Sequence, residues 1–261
     1  MSDQAIQLMQ GDCLEMMPLI PAGSADMILT DLPYGTTACK WDVVIPFAPL
    51  WEAYKRGIKP NGAIVLFGSQ PFTSALVMSN LEWFKYEWIW QKSCATGFIH
   101  AKNKPMKKHE NVLVFSGGTT VHASQSISRM PYFPQNLTSV NIQEKRTSKS
   151  NSSTFFSTRP SHVSQYTRTV GNYPLTIINF PTREQRLHPT QKPVALLEYL
   201  IKTYTNEGET VLDSCFGSGT TAIACMRTGR KFIGIEKDPH YFQVAYQRVK
   251  DEQRQEGLFT I

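Results

Sequence analysis

Long apolar runs are missing from this 261-residue sequence, and none approaches the roughly 18 residues that a membrane-spanning helix needs. The first residues, Met1-Ser2-Asp3-Gln4, have neither a basic start nor an apolar stretch, which argues against a secretory signal peptide. The five cysteines are odd in number and include no Cys-x-x-Cys pair. We therefore expect a cytoplasmic protein with reduced thiols, without a disulfide framework or a metal cluster.

Acidic residues are scarce in one part of the chain. Residues 102–192 contain 13 Lys or Arg and three Glu, a net charge of +10, whereas the remainder carries −4. A basic segment on an acidic body favours a polyanionic partner. A solvated, Lys- and Arg-rich loop explains the same charge equally well, so charge alone does not identify the partner.

Short apolar runs bounded by turn residues indicate buried strands, and they alternate with helical patterns. The predicted strands are residues 26–30, 63–67, 111–115, 210–213 and 231–236, and the predicted helices are 71–80, 193–205, 219–228 and 239–253. This alternation predicts an α/β fold, with a mostly parallel twisted sheet covered by helices on both faces.

Residues 116–187 have a different composition. Serine and threonine make up 22 of these 72 positions, periodicity is poor, and aromatic residues are interleaved with basic ones. The aromatic residues argue against complete disorder. We predict a lobe at 116–187, inserted between 1–115 and 188–261, which together form the α/β domain.

A glycine-rich turn follows the predicted strand 210–213. Asp213 ends that strand, Phe216-Gly217-Ser218-Gly219-Thr220 forms the turn, and Glu236 ends the next strand 17 residues after Gly219. Glycines let a ligand approach the backbone, and a carboxylate at the following strand end can accept ribose hydroxyls. NAD is one candidate, but Asp213 would repel a pyrophosphate and attract an ammonium group. The turn therefore favours S-adenosylmethionine, which carries an ammonium and no phosphate.

The tetrapeptide Asp31-Leu32-Pro33-Tyr34 follows the predicted strand 26–30. Taken alone, such a string is most often a proline turn with a surface Asp and Tyr. In open α/β sheets, however, ligands bind at the carboxyl ends of strands, and a methyl-donor turn lies elsewhere in the same chain.

These motifs, taken in order, resemble the amino-methylating DNA methyltransferases of the permuted beta group, whose signature is Asp/Asn/Ser-Pro-Pro-Tyr/Phe/Trp. The matching segments are Gly11-Asp12-Cys13-Leu14, Asp31–Tyr34, Trp88–Lys92 with Glu110–Phe115, His188-Pro189-Thr190-Gln191-Lys192-Pro193, Phe216–Gly219 and Gly234–Glu236. Six motifs in the family's order are hard to explain by chance. Leu32 departs from the signature, which usually has Pro at that position.

The resemblance implies a Rossmann-like methyltransferase fold in circularly permuted order, with 116–187 as the target-recognition region. It implies catalytic roles for Asp31, Leu32, Pro33 and Tyr34. The cofactor-binding residues that it implies are Asp12, Cys13, Asp31, Gln191, Lys192, Asp213, Phe216, Gly217, Ser218, Gly219, Thr220, Glu236 and Lys237. Asp12 is also explained as a turn carboxylate. Thr37 and Trp41 follow the signature and are candidates to line the pocket, and Trp41 is equally well explained as a core residue.

The implied substrate is double-stranded DNA, with the target base flipped out of the helix. Asp at the first signature position favours adenine N6, and cytosine N4 is the alternative. A dehydrogenase or a non-catalytic DNA-binding protein fits the motifs less well. A homodimer is also considered, as is docking on a bacterial sliding clamp through Gln255-Glu256-Gly257-Leu258-Phe259, although a disordered tail is the favoured interpretation of that segment.

Overall fold

The structure is a computed structural model and describes residues 5–37, 39, 42–120, 128–145, 165–181 and 191–258. The strands are β1 Ile6–Gln10, β2 Ala25–Thr30, β3 Ile58–Gly68, β4 Phe84–Thr96, β5 Lys107–Phe115, β6 Thr138–Lys145, β7 Gln165–Gly171, β8 Ile177–Asn179, β9 Thr210–Asp213 and β10 Lys231–Glu236. The helices are α1 Cys13–Met16, α2 Phe47–Gly57, α3 Phe72–Ser79, α4 Val194–Tyr204, α5 Thr220–Arg227 and α6 Pro239–Leu258.

An eight-stranded sheet in the order β1-β10-β9-β2-β3-β5-β4-β8 forms the centre of the larger unit, which comprises Met1–Phe133 and Thr176–Ile261. The neighbours from β1 to β3 pair in parallel, as do β4 and β8, whereas β5 runs antiparallel to both β3 and β4. The sheet is therefore mostly parallel, as predicted from the alternating strands and helices.

The chain changes direction across the sheet between β9 and β2. From β9 it continues through α5 to β10 on one side, and from β2 it continues through α2 to β3 on the other. Because parallel strands share one carboxyl edge, the ends of β9, β2 and β10 meet beside this point. Ligand crevices in open α/β sheets form at such topological switch points.

Helices cover both faces of the sheet because successive strand side chains point to opposite faces. Met27 and Leu29 of β2 belong to one apolar core, which includes residues of α4, α5 and α6. Ile28 belongs to a second core, built with residues of α1, α2 and α3. In the described part of the chain, no helix combines the length and apolar character needed to cross a membrane.

A second compact unit comprises Pro134–Leu175. In it β6 and β7 pair antiparallel, from Thr138 opposite Gly171 to Lys145 opposite Gln165. Neither strand is predicted from the sequence, since their residues are largely polar and lack the apolar runs by which buried strands are detected. β8 also falls within residues 116–187 but pairs with β4 in the larger sheet.

The predicted strands and helices match elements of the structure, with bounds that differ mainly at the ends. Residues 63–67 are the buried part of the longer β3, and 111–115 that of β5. Pro193 caps α4 instead of occupying its first turn. α6 extends to Leu258, so the backbone at 255–258 is helical and is not a disordered tail, whereas Phe259 lies outside the described residues.

A buried hydroxyl in α4 satisfies polar groups of β4. The Tyr204 hydroxyl accepts a hydrogen bond from Trp88 Nε1 at 2.7 Å and lies 3.0 Å from the hydroxyl of Tyr86. Tyr204 is fully buried, whereas Tyr86 is half-buried. The substitution Tyr204→Phe leaves the buried Trp88 Nε1–H without its acceptor. An unsatisfied buried donor of this kind lowers the free energy of unfolding by about 2 kcal/mol.

The matched substitution Tyr86→Phe removes a hydroxyl from the same network but leaves the Trp88 bond intact. We expect it to cost about 0.5 to 1 kcal/mol, the net value of one ordinary hydrogen bond. Urea unfolding of both variants measures the difference. Equal losses would contradict the assignment of Tyr204 as the necessary acceptor.

Candidate active site

A cavity of about 840 Å³ lies at the carboxyl ends of β2, β9 and β10. Its volume falls within the range of sites that hold drug-sized ligands. Apart from Gly219, every residue predicted as catalytic or cofactor-binding lines it. The structure therefore brings together two motifs that lie about 180 positions apart in the sequence.

Asp31 follows the last residue of β2, and its carboxylate is held by two side chains. The Tyr34 hydroxyl donates a hydrogen bond to Asp31 Oδ1 at 2.7 Å, and the Lys192 ammonium donates to Asp31 Oδ2. The side chain of Asp31 keeps 24% of its surface exposed, whereas that of Lys192 keeps 7%. The carboxylate thus remains accessible from the cavity while its orientation is fixed from behind.

Glu110 completes a buried charge network that the sequence did not reveal. Its carboxylate lies 3.3 Å from Lys192 Nζ and accepts a hydrogen bond from the Lys92 ammonium on the neighbouring strand β4. The network therefore contains two carboxylates and two ammonium groups, with Lys192 between Asp31 and Glu110. The available signal was a single acid that follows the lysines of 102–109 and directly precedes the apolar run 111–115.

Burial and mutual attraction set the ionisation of this network. Burial raises the pKa of Asp31 although Lys192 acts against it, and burial also raises that of Tyr34 well above its ordinary value. Burial alone would lower the pKa of Lys192, but the two facing carboxylates raise it. Burial opposes ionisation of Glu110 too, yet Lys192 and Lys92 keep its pKa low. Lys192 is therefore held in its charged form.

The loop after Tyr34 is organised by Asp42, a second residue that the sequence did not single out. Its carboxylate accepts hydrogen bonds from the backbone amides of Tyr34 and Gly35 on Oδ1 and of Thr36 and Thr37 on Oδ2, at 2.7 to 2.9 Å. Burial would raise the pKa of Asp42, but the hydrogen bonds with the 35–37 loop lower it overall. The loop is therefore shaped around a charged carboxylate.

Aromatic and apolar packing fixes the rest of the tetrapeptide. The Tyr34 ring stacks on Phe72, with 5.1 Å between ring centroids and 29° between planes. Leu32 is buried, with 4% of its surface exposed, in the core beside α1–α3. Packing thus supplies at this position part of the rigidity that a proline ring would give.

Two carboxylates lie at the cavity beside the glycine turn, Asp213 at the end of β9 and Glu236 at the end of β10. Asp213 Oδ2 accepts a hydrogen bond from the Thr221 hydroxyl at 2.6 Å, and Oδ1 accepts one from the Cys215 amide at 3.1 Å. Burial raises the pKa of Asp213 to about 7, although these hydrogen bonds act against it. Glu236 accepts the amides of Gly217 and Asp238, each at 2.8 Å, and burial raises its pKa as well.

Gly219 fixes the turn without lining the cavity. Its φ of 79° lies in the left-handed region, and a Cβ there would lie 2.9 Å from Cβ of Ala245 in α6. Gly219 therefore stays a predicted cofactor-binding residue that lies next to lining residues Ser218 and Thr220 but is not itself part of the cavity wall. Its freedom of conformation and its closeness to α6 are what the turn requires.

The remaining predicted positions lie around the same cavity. Asp12 caps α1 through the Leu14 amide at 2.9 Å and pairs with Lys237 at 3.0 Å, and Cys13 lies beside it. Ser218 donates to Gln191 Oε1 at 3.3 Å. Trp41, His188 and Thr190 lie outside the described residues. Within the part of the chain that is described, no group of His, Cys, Asp and Glu could hold a metal ion.

Comparison with known proteins identifies the family to which the chain belongs. A sequence model of a DNA methylase family matches residues 25–247, a span that includes both Asp31 and the glycine turn. The chain belongs to this DNA methylase family. It is therefore a DNA methyltransferase, and the family's methyl donor is S-adenosylmethionine, which confirms the cofactor predicted from the sequence.

Individual relatives agree with this assignment. The DNA methylase is 26% identical over 94% of its length to 74% of the type II methyltransferase M.HpaI from Haemophilus parainfluenzae. It is 27% identical over 95% of its length to 83% of the DNA adenine methyltransferase YhdJ from Escherichia coli. A crystal structure of the M1.HpyAVI–SAM complex matches it with a TM-score of 0.59 and 26% identity, covering 93% of this chain and 99% of that one. The predicted Rossmann-like methyltransferase fold is confirmed.

The buried position of Lys192 leads to a test of the charge network. In Lys192→Met, the carboxylates lose the cation between them, so we expect the free energy of unfolding to fall by about 3 kcal/mol at pH 8. A carboxyl group whose folded pKa lies above its unfolded pKa destabilises the protein as pH rises between the two values. The loss should therefore shrink towards pH 5.

Lys59 provides a matched control, since it also pairs with an aspartate, Asp26, but its side chain is 47% exposed. The substitution Lys59→Met should cost less than about 1 kcal/mol with little dependence on pH. Urea unfolding at pH 5 and pH 8 measures both variants. A loss for Lys192→Met that is no larger than for Lys59→Met would contradict the buried network.

Proposed function

We propose that this enzyme methylates the N6 amino group of adenine in double-stranded DNA. The observation that carries the proposal is the Asp31 carboxylate, held by Tyr34 and Lys192 at a cavity that Asp213 and Glu236 also line. Support for adenine comes from an aspartate at the first signature position and from the relative described as a DNA adenine methyltransferase. Cytosine N4 is the alternative target.

The polar residues of the glycine turn fit S-adenosylmethionine. Asp213 is a buried carboxylate that suits an ammonium group. Both Glu236 oxygens already accept one amide each, and an ionised carboxylate has lone pairs left for two ribose hydroxyls. Asp12, Cys13, Gln191 and residues 216–220 complete the proposed set. When bound, the cofactor supplies an electrophilic methyl group on a sulfonium sulfur.

Asp31 acts on the amino group of the target base. That nitrogen is a poor nucleophile because its lone pair is delocalised into the ring, so acceptors must draw its hydrogens out of the plane. The Asp31 carboxylate and the Leu32 backbone carbonyl are the proposed acceptors, and the ionised one forms the stronger hydrogen bond. Asp31 also stabilises the positive charge that develops on nitrogen. The proton then released can pass to Asp31, whose raised pKa makes it a better base than a surface aspartate.

Tyr34 and Lys192 position the acceptor. The Tyr34 hydroxyl is engaged with Asp31 and one ring face with Phe72, so an extruded base would stack on the opposite ring face. Lys192 was predicted to contact the cofactor. Its contacts with Asp31 and Glu110 support a different primary role, in which it keeps Asp31 charged and oriented within a buried site.

The inserted region 116–187, which lies within the basic segment 102–192, provides the proposed DNA contact. We propose that 116–187, which includes the compact unit Pro134–Leu175, recognises the target sequence, with Lys and Arg contacting phosphates. Base flipping is required because the amino group cannot react inside a duplex. A second copy of the chain and a sliding clamp remain predicted partners, the latter through a tail whose last residues lie outside the described structure.

One experiment identifies the product. The protein is incubated with plasmid DNA and S-adenosylmethionine carrying a labelled methyl group, and the digested nucleosides are separated. We expect label in N6-methyladenine. Label in N4-methylcytosine would overturn the adenine assignment, and no labelled nucleoside with DNA of diverse sequence would overturn the enzymatic proposal.

Asp31→Ala is the matched control for this assay. It removes the ionised acceptor, so we expect transfer to fall by at least about a thousandfold. Lys192 retains Glu110 as a partner, so the fold and the cofactor affinity, measured by calorimetry, should be largely kept. Loss of cofactor binding along with activity would show that Asp31 serves mainly to hold the cofactor.

The raised pKa of Asp213 predicts how cofactor affinity depends on pH. Asp213 must be ionised to hold an ammonium group, and its pKa is about 7 in the free protein. Affinity for S-adenosylmethionine should therefore weaken as pH falls, approaching about tenfold per pH unit well below pH 7, while the ligand amine stays protonated. Calorimetry between pH 5.5 and pH 7 measures the effect. Asp213→Asn should bind weakly with little pH dependence, and an unchanged pH dependence would exclude Asp213 as its source.

A further inference from the structure

The tip of the hairpin between β4 and β5, residues 97–106, exposes large apolar side chains. Phe98 is 80% exposed and Ile99 is 91% exposed, next to each other in the sequence. Met106, at the other end of the tip, is 39% exposed. Neighbouring exposed apolar residues of this size indicate a contact surface.

Hydrogen bonds within the tip hold these residues in a defined turn. Gly97 adopts a left-handed φ of 91°, and a 3₁₀ turn follows at Phe98–His100. The amide of Ala101 donates to the Phe98 carbonyl at 3.0 Å, and that of Lys104 donates to the His100 carbonyl at 3.0 Å. The strand pair Thr96 and Lys107 closes the base of the hairpin. The apolar side chains therefore project from a backbone with a fixed shape.

The charge around the tip suits a polyanion. Residues 97–109 contain four lysines, Lys102, Lys104, Lys107 and Lys108, and no acidic residue. Three of these lysines are exposed, and Lys107 is half-buried and donates a hydrogen bond to Ser69. The lysines of the tip would be repelled by another basic surface. They complement the phosphates of DNA, and the apolar side chains complement its stacked bases.

The tip continues directly from the wall of the active-site cavity. Lys92, Cys94 and Thr96 of β4 line the cavity, and Phe98 follows two residues later. Two residues of chain span at most about 7 Å, or roughly two base-pair steps, and the turn at Gly97 makes the separation shorter. DNA that delivers a base to Asp31 would therefore pass next to Phe98 and Ile99.

We propose that Phe98 and Ile99 form a wedge that enters the base stack beside the target nucleotide and fills the space left when that base is flipped out. Apolar side chains inserted between base steps are an established way for proteins to hold DNA in a distorted form. The lysines of the tip would contact the phosphates on either side. The wedge rests on the proposed function, because it acts on the same flipped base.

The double variant F98A/I99A tests the wedge on two matched duplexes that contain the sequence methylated by the wild type. In one the target base is paired normally, and in the other it lies opposite an abasic site, where flipping requires no unpairing. We expect kcat/KM to fall about 30-fold on the paired duplex, because the variant no longer offsets about 2 kcal/mol of flipping cost. On the abasic duplex the loss should be within about threefold.

The variant K102A/K104A is the control for simple phosphate binding. It should lose activity to a similar extent on both duplexes, with a shallower dependence of DNA affinity on salt. Phe98→Trp keeps a large apolar ring and should retain most of the wild-type activity on the paired duplex. Cofactor affinity should be unchanged in every variant, since the substituted side chains are exposed and lie outside the cavity wall.

The pattern of losses across the two duplexes decides whether the tip acts as a wedge. Equal losses for F98A/I99A on both duplexes, or no loss on either, would overturn the wedge while the wild type still methylates DNA. A change in oligomeric state of F98A/I99A, measured by sedimentation, would instead assign the tip to contact with a second copy. If the wild type methylates no DNA, the proposed function fails, and the wedge that depends on it fails with it.

Discussion

The parallel pairing of β2 with β9 is the constraint on which the active site depends. Met27 pairs with Val211 and Ile28 with Leu212, and the Ser214 amide donates to the Thr30 hydroxyl across 184 positions of sequence. This register brings the strand ends that carry the catalytic tetrapeptide and the glycine turn to one edge. The long intervening chain is tolerated because the entropy of closing a loop grows only slowly with its length.

The central strands were predictable because they are buried on both faces, which requires continuous apolar sequence. β2, β9 and β10 show this pattern, as do the buried parts of β3 and β5, and the tetrapeptide, the glycine turn and Lys237 follow β2, β9 and β10. β6 and β7 left no such signal. Their side chains are mostly polar, and the two strands are not joined by a short turn, so neither an apolar run nor a hairpin signal could reveal the pairing.

The sequence predicted which residues line the cavity better than it predicted which side chains contact each other there. Position in a motif placed Lys192 at the cavity, but its contacts with Asp31 and Glu110 arise only when α4, β2 and β5 pack together. The role of Asp42 was not predicted for a related reason. A loop sequence does not indicate which carboxylate will accept hydrogen bonds from four backbone amides. The glycine turn predicted Gly219 as a cofactor-binding residue, and the structure adds that its left-handed backbone and the lack of room for a Cβ beside Ala245 require glycine there.

The buried network explains how Asp31 can stay ionised although most of its side chain is buried. An isolated buried carboxylate would take up a proton, and a protonated Asp31 would lose its strongest interaction with an amino group. Two carboxylates and the ammonium groups of Lys92 and Lys192 together carry no net charge, so the burial of each ion is offset by its neighbours. An intact buried network of this kind adds little to the free energy of unfolding, although removing one of its members lowers that free energy strongly. We therefore infer that the network serves to keep Asp31 ionised and oriented. Burial raises the pKa of Asp31 and so favours its protonation. Because a hydrogen bond to an ion is stronger in a low dielectric, the same burial strengthens the hydrogen bond between ionised Asp31 and the amino group of the base.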